Sequence, residues 1–428
     1  MEVIVLSENV TLQEFVKDIA DAIREKKGSS DLINPQDFAT EIQNISGGGI
    51  NNTSYNPVNT LVQNYLANVD YTDVPYNTSS ITNYSEQIAK YRKDEPNGVN
   101  INVSGTKYAL VDTVRNGSIC NNSVANNYTF YNFIPGSHTG MATIMDNNGA
   151  KQIYNISTTT AHPIRMICVP SVYNVRDHGG WNCDGGYVKY GLIYRGGDFN
   201  YITSEDKKIL NNFLDIGCEI DFMFAYQGGQ LSESNLGNQV EYVSLPTNAS
   251  YENLVMPGLY KDWGHDTNDT AIDIMKPALQ KIFSNVANNI PTYYHCSLGA
   301  DRTGTLGFVI DALLGMSQSD VDKEWELTSF AEAEKGSSPR ARNATESYWR
   351  FPDLVYYFMG GTASRTYDDS TAKTYKANHT SATYVGFGHN NLRDNVAQWA
   401  IDELGLSLSD INSFRRNMIV GNPADINL

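Results

Sequence analysis

Residues 293–305 read YYHCSLGADRTGT. An apolar run ends at His295 and Cys296, a short glycine-containing loop follows, and Arg302 and Thr303 open the next stretch. Upstream, TYYHCS has the length and character of a short buried strand. Downstream, RTGTLGFVIDALLGM repeats its apolar residues at helical spacing. The order is strand, loop, helix. In a parallel sheet, the loop at the carboxyl end of a strand is where an anion site is expected.

Working outward, the chain from 163 to 428 alternates strands and helices. RMICVPSVYNVRDHGGW reads as a strand entering a turn, and CEIDFMF and VEYVSLP as short strands. TSEDKKILNNFLDIG is a helix opened by capping-box spacing from Thr203 to Asp206. DIMKPALQKIFSNVANN, QSDVDKEWELTSFAEA, NNLRDNVAQWAIDELG and SLSDINSFRRNMI are further helices. This alternation predicts an α/β domain with a mostly parallel sheet covered on both faces.

The rest of the chain reads differently, so the protein is expected to be multidomain. Over 98–162 the runs VNINV, KYALVDTV, YTFYNF, GMATIMD and KQIYNIST are separated by turn residues, which predicts a small β-sandwich acting as a spacer. Residues 50–97 form a connector with helix near 59–67 and 85–92. Residues 1–49 predict a helical hairpin. Thr11 and Glu14 have capping-box spacing, Leu12, Phe15, Ile19 and Ile23 share a face, and Gly28 stops the run. Phe38, Ile42 and Ile45 then follow Asn34-Pro35, and SGGG ends the unit. Two short helices bury little alone, so this unit is expected to dock on a homo-oligomer or a partner.

Composition limits the function classes. The 428 residues are 41% hydrophobic and 18% charged, which suits buried cores, and a net charge of −17 argues against nucleic-acid or anionic-membrane binding. No apolar run reaches the about eighteen residues of a membrane span. The start, MEVIVLSENVTLQEF, lacks a basic n-region, so no secretory signal peptide is expected and the location is read as a virion or otherwise the cytoplasm. Cys120, Cys168, Cys183, Cys218 and Cys296 show no paired spacing, which argues against a disulfide framework or a zinc site. Four of them read as small buried residues.

Cys296 is the exception. A cysteine between a strand end and a helix start, near a cation, has its thiol pKa lowered. The amides from Ser297 through Leu298, Gly299, Ala300 and Asp301 to Arg302 would curl around phosphate oxygens, with Gly299 permitting the turn. Arg302 would clamp those oxygens through a bidentate contact. Thr303 would hydrogen-bond the thiolate, and Asp301 is the nearest candidate to protonate a leaving oxygen. His295 would orient the loop from behind. No metal or other cofactor is required, because Arg302 and the amides supply the positive field.

HCSLGADRTG resembles the signature of cysteine-dependent protein tyrosine phosphatases, His-Cys-x-x-Gly-x-x-Arg-Thr-Gly. More narrowly, YNVRDHGGW, GYVKYGLIYRGGDFNYITSEDKKIL and GADRTGTLGFVIDALLGMSQSDVDKEWELTSF are similar to the atypical bacterial tyrosine phosphatases that also take phosphoinositides. The resemblance covers about 165–425. It implies Cys296 as nucleophile, Arg302 as phosphoryl clamp, Thr303 as helper and Asp301 as general acid, with a phosphorylated protein or small phosphate ester as substrate. Several phosphoinositide-active relatives carry lysine where this chain has Ala300, which argues against multiply phosphorylated lipids. The strand CEIDFMF lacks the arginine that commonly follows its aspartate, leaving Asp221 without that partner.

Asp262 and Asp266 in KDWGHDTND are rival general acids. Arg176 and Asp177 are expected to make structural contacts near the pocket, with Arg176 also carried as a substrate-binding candidate; Arg195 reads similarly. Segment 331–388 is either a lid or a surface insertion. The stretch DIADAIREKKGSSDLINPQDFATEIQNI resembles short modules near the N-termini of tailed-phage structural proteins, which implies virion proteins as partners. YTFYNFIPGSHTGMATIMDNNGAKQIYNISTTT resembles the second half of a fibronectin type III-like domain, a domain that precedes this catalytic domain in some gut-bacterial relatives. A virion or appendage protein using the fold only for binding is the rival reading. A rhodanese or arsenate reductase is disfavoured by His295 and the Arg-Thr-Gly ending.

Overall fold

The computed structural model describes residues 169–247, 271–330, 354–362 and 383–428, with shorter pieces at 162–167 and 252–255 and, before 160, a set of strands and a few helical positions. The expected hairpin of 1–49, the connector helices, Asp262, Asp266 and most of 331–388 lie outside the described residues.

Among the described residues, seven strands before 160 pair into two antiparallel sheets. Strands β1 (Tyr55–Asn56), β2 (Gly98–Asn102) and β5 (Asn127–Tyr131) form one, in the order β1-β2-β5. Strands β3 (Thr106–Asp112), β4 (Ser118–Asn121), β6 (Thr139–Asp146) and β7 (Lys151–Ser157) form the other, in the order β4-β3-β6-β7. Two of the seven were not anticipated. β1 falls in the stretch read as connector, and β4 has only four residues, too few to show alternation.

The C-terminal domain is built on a five-stranded sheet of β8 (Arg176–Asp177), β11 (Ile193–Gly196), β12 (Cys218–Asp221), β13 (Glu241–Ser244) and β14 (Thr292–His295). Its order is β13-β12-β14-β11-β8, parallel throughout except for β8. The expected strand before the VRDHGG turn shrinks to β8 and one bridge from Met166 to Arg176. A small antiparallel sheet joins β9 (Asn182–Cys183), β10 (Gly186–Val188) and β15 (Ile419–Gly421).

The chain lays down β11, then β12, then β13 at the edge, and returns to insert β14 between β12 and β11. The strand order therefore reverses around β14, and the loop leaving it opens at that switch point. Alternation along β14 explains its continuous burial. Tyr294 joins the larger core with helices α2 (Glu252–Val255), α3 (Ala271–Ala287), α4 (Asp301–Leu314), α5 (Gln318–Glu326), α6 (Leu392–Asp402) and α7 (Leu408–Met418). Tyr293 joins the smaller core on the opposite face, with Leu210, Phe213 and Leu214. Those residues follow α1 (Ser204–Lys208), whose capping box between Thr203 and Asp206 forms as expected. The helix then widens into a π-helical turn over Ile209–Phe213. Helix α4 is buried from Thr303 to Leu314 and runs through the centre of the larger core.

Candidate active site

Cys296 follows β14 directly and is buried. Burial alone would raise its thiol pKa. The Arg302 charge and hydrogen bonding by the Thr303 hydroxyl and amide outweigh burial and the nearby Asp301, so the net shift is downward from 9.0. Among the described residues, Thr303 Oγ1 is buried and makes no other hydrogen bond. Behind the cysteine, the β12–β14 register sets Glu219 beside Tyr293 and Asp221 beside His295. His295 Nε2 lies 2.9 Å from Glu219 Oε1, and its Nδ1 donates to the Cys296 carbonyl at 3.4 Å. Burial disfavours its charge, but Asp221 and Glu219 raise its pKa to about 9. His295 is therefore an imidazolium at neutral pH. Asp221 accepts from Tyr242 Oη at 2.6 Å and from the Met223 amide at 2.8 Å.

The loop curls because Gly299 adopts φ +64°, and a side chain there would meet the Gly196 backbone at 2.3 Å. Its carbonyls have external partners. Ser297 O accepts from the Asp198 amide at 3.1 Å, Leu298 O from Asn174 Nδ2 at 3.3 Å, and Gly299 O from Asn174 Nδ2 at 2.9 Å and Arg195 Nη2 at 3.0 Å. Ala300, buried, sits at the N-cap of α4, and its side chain offers no cap to the first-turn amides. Arg302 donates from Nη1 to Phe222 O at 2.8 Å, Thr247 O at 3.0 Å and Gln227 Oε1 at 3.0 Å. Among the described residues, Nε and Nη2 carry none of these bonds. Ser297, Leu298, Asp301 and Arg302 are half-buried, which leaves the mouth of the loop open to solvent.

The structure thus brings Cys296, Asp301, Arg302 and Thr303 together with the loop residues 297–300. Arg176 is the exception. The sequence offers it as a substrate-binding candidate, but only 1% of its surface is exposed. Its Nε donates to Glu324 Oε1 at 2.5 Å, and Nη1 donates to Asn174 Oδ1. It stands behind the loop, because β8 pairs it across from Arg195 and the two buried cations share Glu324. Arg195 Nη1 donates to Glu324 Oε2 at 2.7 Å. Burial would raise the Glu324 carboxyl, yet Arg176 and Arg195 hold it down to about 2. Asp177 caps the turn by accepting from the Gly179 and Gly191 amides. Sequence reasoning missed Asn174, Glu324, Gln227 and Asp198. Asp198 accepts from Ser297 Oγ at 3.3 Å, and burial raises its pKa. Asn174, Asp198 and Glu324 lie in stretches that the family resemblance singles out, but nothing local marks their role, and Gln227 lies outside them.

Residues 167–420, which contain this loop, match a family model described as "Tyrosine phosphatase family". The chain belongs to the tyrosine phosphatase family. Among solved structures, the core catalytic domain of the PP-IP phosphatase SIW14 from S. cerevisiae, in complex with citrate, is 17% identical; the match covers 43% of this chain and 86% of that one, with a TM-score of 0.24. TpbA from P. aeruginosa is 15% identical over 40% of this chain and 91% of that one, with a TM-score of 0.22. A TpbA variant in complex with pTyr gives 15%, 40%, 90% and 0.24 for the same quantities. No curated protein matches the chain. Among the described residues, no helix is long and apolar enough to cross a membrane.

Proposed function

We propose that the C-terminal domain hydrolyses phosphate monoesters through a phosphocysteine intermediate. The observation that carries this is the loop geometry: Cys296 at the end of β14, Gly299 at φ +64° with its carbonyl held by Asn174, and Arg302 in the first turn of α4. Arg302 offsets burial and holds the Cys296 thiol below its usual pKa. The thiolate attacks phosphorus and forms the S–P bond as the P–O bond to the leaving group breaks. Asp301 gives its proton to the departing oxygen. Water then attacks phosphorus, the S–P bond breaks, and Asp301 takes the proton back. Arg302 and the loop amides follow the equatorial oxygens through both steps. Thr303, whose hydroxyl is otherwise orphaned, receives the returning thiolate. A tyrosine-phosphatase-like substrate, a phosphotyrosine protein or small aryl phosphate, fits a loop without lysine at Ala300.

Aryl phosphate hydrolysis by the intact chain and by Cys296→Ser tests the reading. The variant should fall to background, and Arg302→Lys should lose roughly 10²–10³-fold in kcat. Equal, background-level rates for wild type and Cys296→Ser would sink the enzyme and leave a binding module.

The proposal extends to the rest of the chain. Residues 98–162 serve as a fibronectin III-like spacer after the connector of 50–97, supported by the pairing of their strands into two antiparallel sheets. Residues 1–49 attach the enzyme to a particle or oligomer, supported by their likeness to phage structural modules. Mass spectrometry of purified particles from a phage source checks this layer, and absence of the chain removes it.

A further inference from the structure

The cradle works only if the loop amides point inward, and nothing in the loop itself enforces that. In a trans peptide unit the carbonyl and the following amide point in opposite directions. Fixing the carbonyls of Ser297, Leu298 and Gly299 outward therefore turns the amides of Leu298, Gly299 and Ala300 inward. One side chain, Asn174, holds two of those three carbonyls through Nδ2.

We propose that Asn174 is a positioning residue that aims the cysteine-loop amides at the phosphoryl group. Three observations carry this. First, the orientation of its amide is determined by its partners. Arg176 Nη1 can only donate, so the oxygen must face it and the nitrogen must face the loop. Second, Arg176 is itself set by Glu324, through its carboxylate and its backbone carbonyl at 3.1 Å. Thr328 Oγ1 lies 3.3 Å from both Arg176 Nη2 and Asn174 Nδ2. The donor is thus fixed by a buried charged assembly rather than by solvent. Third, Asn174 occupies φ 59°, a conformation that asparagine tolerates better than most residues. The residue before it ties the turn to the end of β11, since Tyr173 O accepts from the Gly197 amide at 2.8 Å.

The proposal rests on the reading of the loop as an anion cradle, but its test does not need turnover. Asn174→Asp keeps the acceptor for Arg176 and the backbone tolerance, and replaces the donor by an acceptor. Asn174→Gly keeps the backbone and removes the side chain without adding charge. The intact chain and both variants would be compared by the pH profile of Cys296 alkylation with iodoacetate, by affinity for inorganic phosphate, and by thermal midpoint. We expect both variants to fold, to shift the alkylation midpoint up by about one unit, and to weaken phosphate roughly tenfold. The glycine variant shows that added charge is not the cause. With p-nitrophenyl phosphate, kcat should fall more than KM rises. Wild-type alkylation midpoint and phosphate affinity in a folded Asn174→Gly would overturn the proposal. Failure of both variants to fold would also overturn it, making Asn174 a stability residue. A wild type that binds phosphate through a reactive thiol yet hydrolyses nothing would instead defeat the enzymatic reading and leave this one standing.

Discussion

His295 shows how one residue links the site to stability. Its ordinary pKa of 6.5 rises to about 9 in the fold, because Asp221 and Glu219 outweigh burial. The folded state holds the proton more tightly than the unfolded chain. The resulting stabilisation is fully present below about pH 6.5 and is lost as pH rises through about 9. Its full size is on the order of 3 kcal/mol. Cys296 runs the other way: its depressed pKa contributes stability above 9.0 that is lost as pH falls through the folded value. Urea unfolding of wild type and His295→Gln between pH 6 and about 9.5 separates the two. The difference between the proteins should shrink as pH rises, and a constant difference would deny the imidazolium. The pairing of His295 with Cys296 was legible as a dipeptide. The carboxylates that charge the imidazole were not, since Glu219 lies 76 residues away and reaches it only through the β12–β14 register.

At the scale of the element, α4 is the part most clearly written in the sequence. RTGTLGFVIDALLGM ends at Gly315 in the left-handed conformation, φ 82°, as a helix stop should. Its glycines have a second role that periodicity does not reveal. A Cβ on Gly307 would stand 2.5 Å from Arg195 Nη1, and one on Gly304 would stand 3.2 Å from Trp325. In an isolated helix, Gly307→Ala would gain about 1 kcal/mol of propensity. Here Arg195 cannot step aside, because Nη1 holds Glu324 and Nη2 holds the Gly299 carbonyl. We expect Gly307→Ala to destabilise by about 1–2 kcal/mol and to lower kcat/KM. A raised thermal midpoint with full activity would show that the guanidinium has room. The short strands were less legible: two residues in β8 cannot display a period, and their place is set by pairing with β11.

For the whole molecule, charge and topology matter most. With a net charge of −17, a dianionic substrate approaches against the overall field and is held by a local one at Arg302. Raising chloride to about 0.15 M, where the Debye length is about 8 Å, should increase kcat/KM for an aryl phosphate about two- to fivefold. A decrease would mean that the field at the loop mouth governs the approach. The sequence by itself determined the α/β class, the helices after 163 and the cysteine loop, because caps, periodicity and HCSLGADRTG act among residues close in the chain. Tertiary structure alone decided that β14 returns between β11 and β12, opening the loop at the switch point. It also decided what holds the loop: Asn174 is 125 residues from Gly299, and Glu324 is 129 from Arg195. A buried arginine must have a partner, but its own neighbours in the chain do not say which one. Only the strand order that sets Arg176 beside Arg195 brings Glu324 between them.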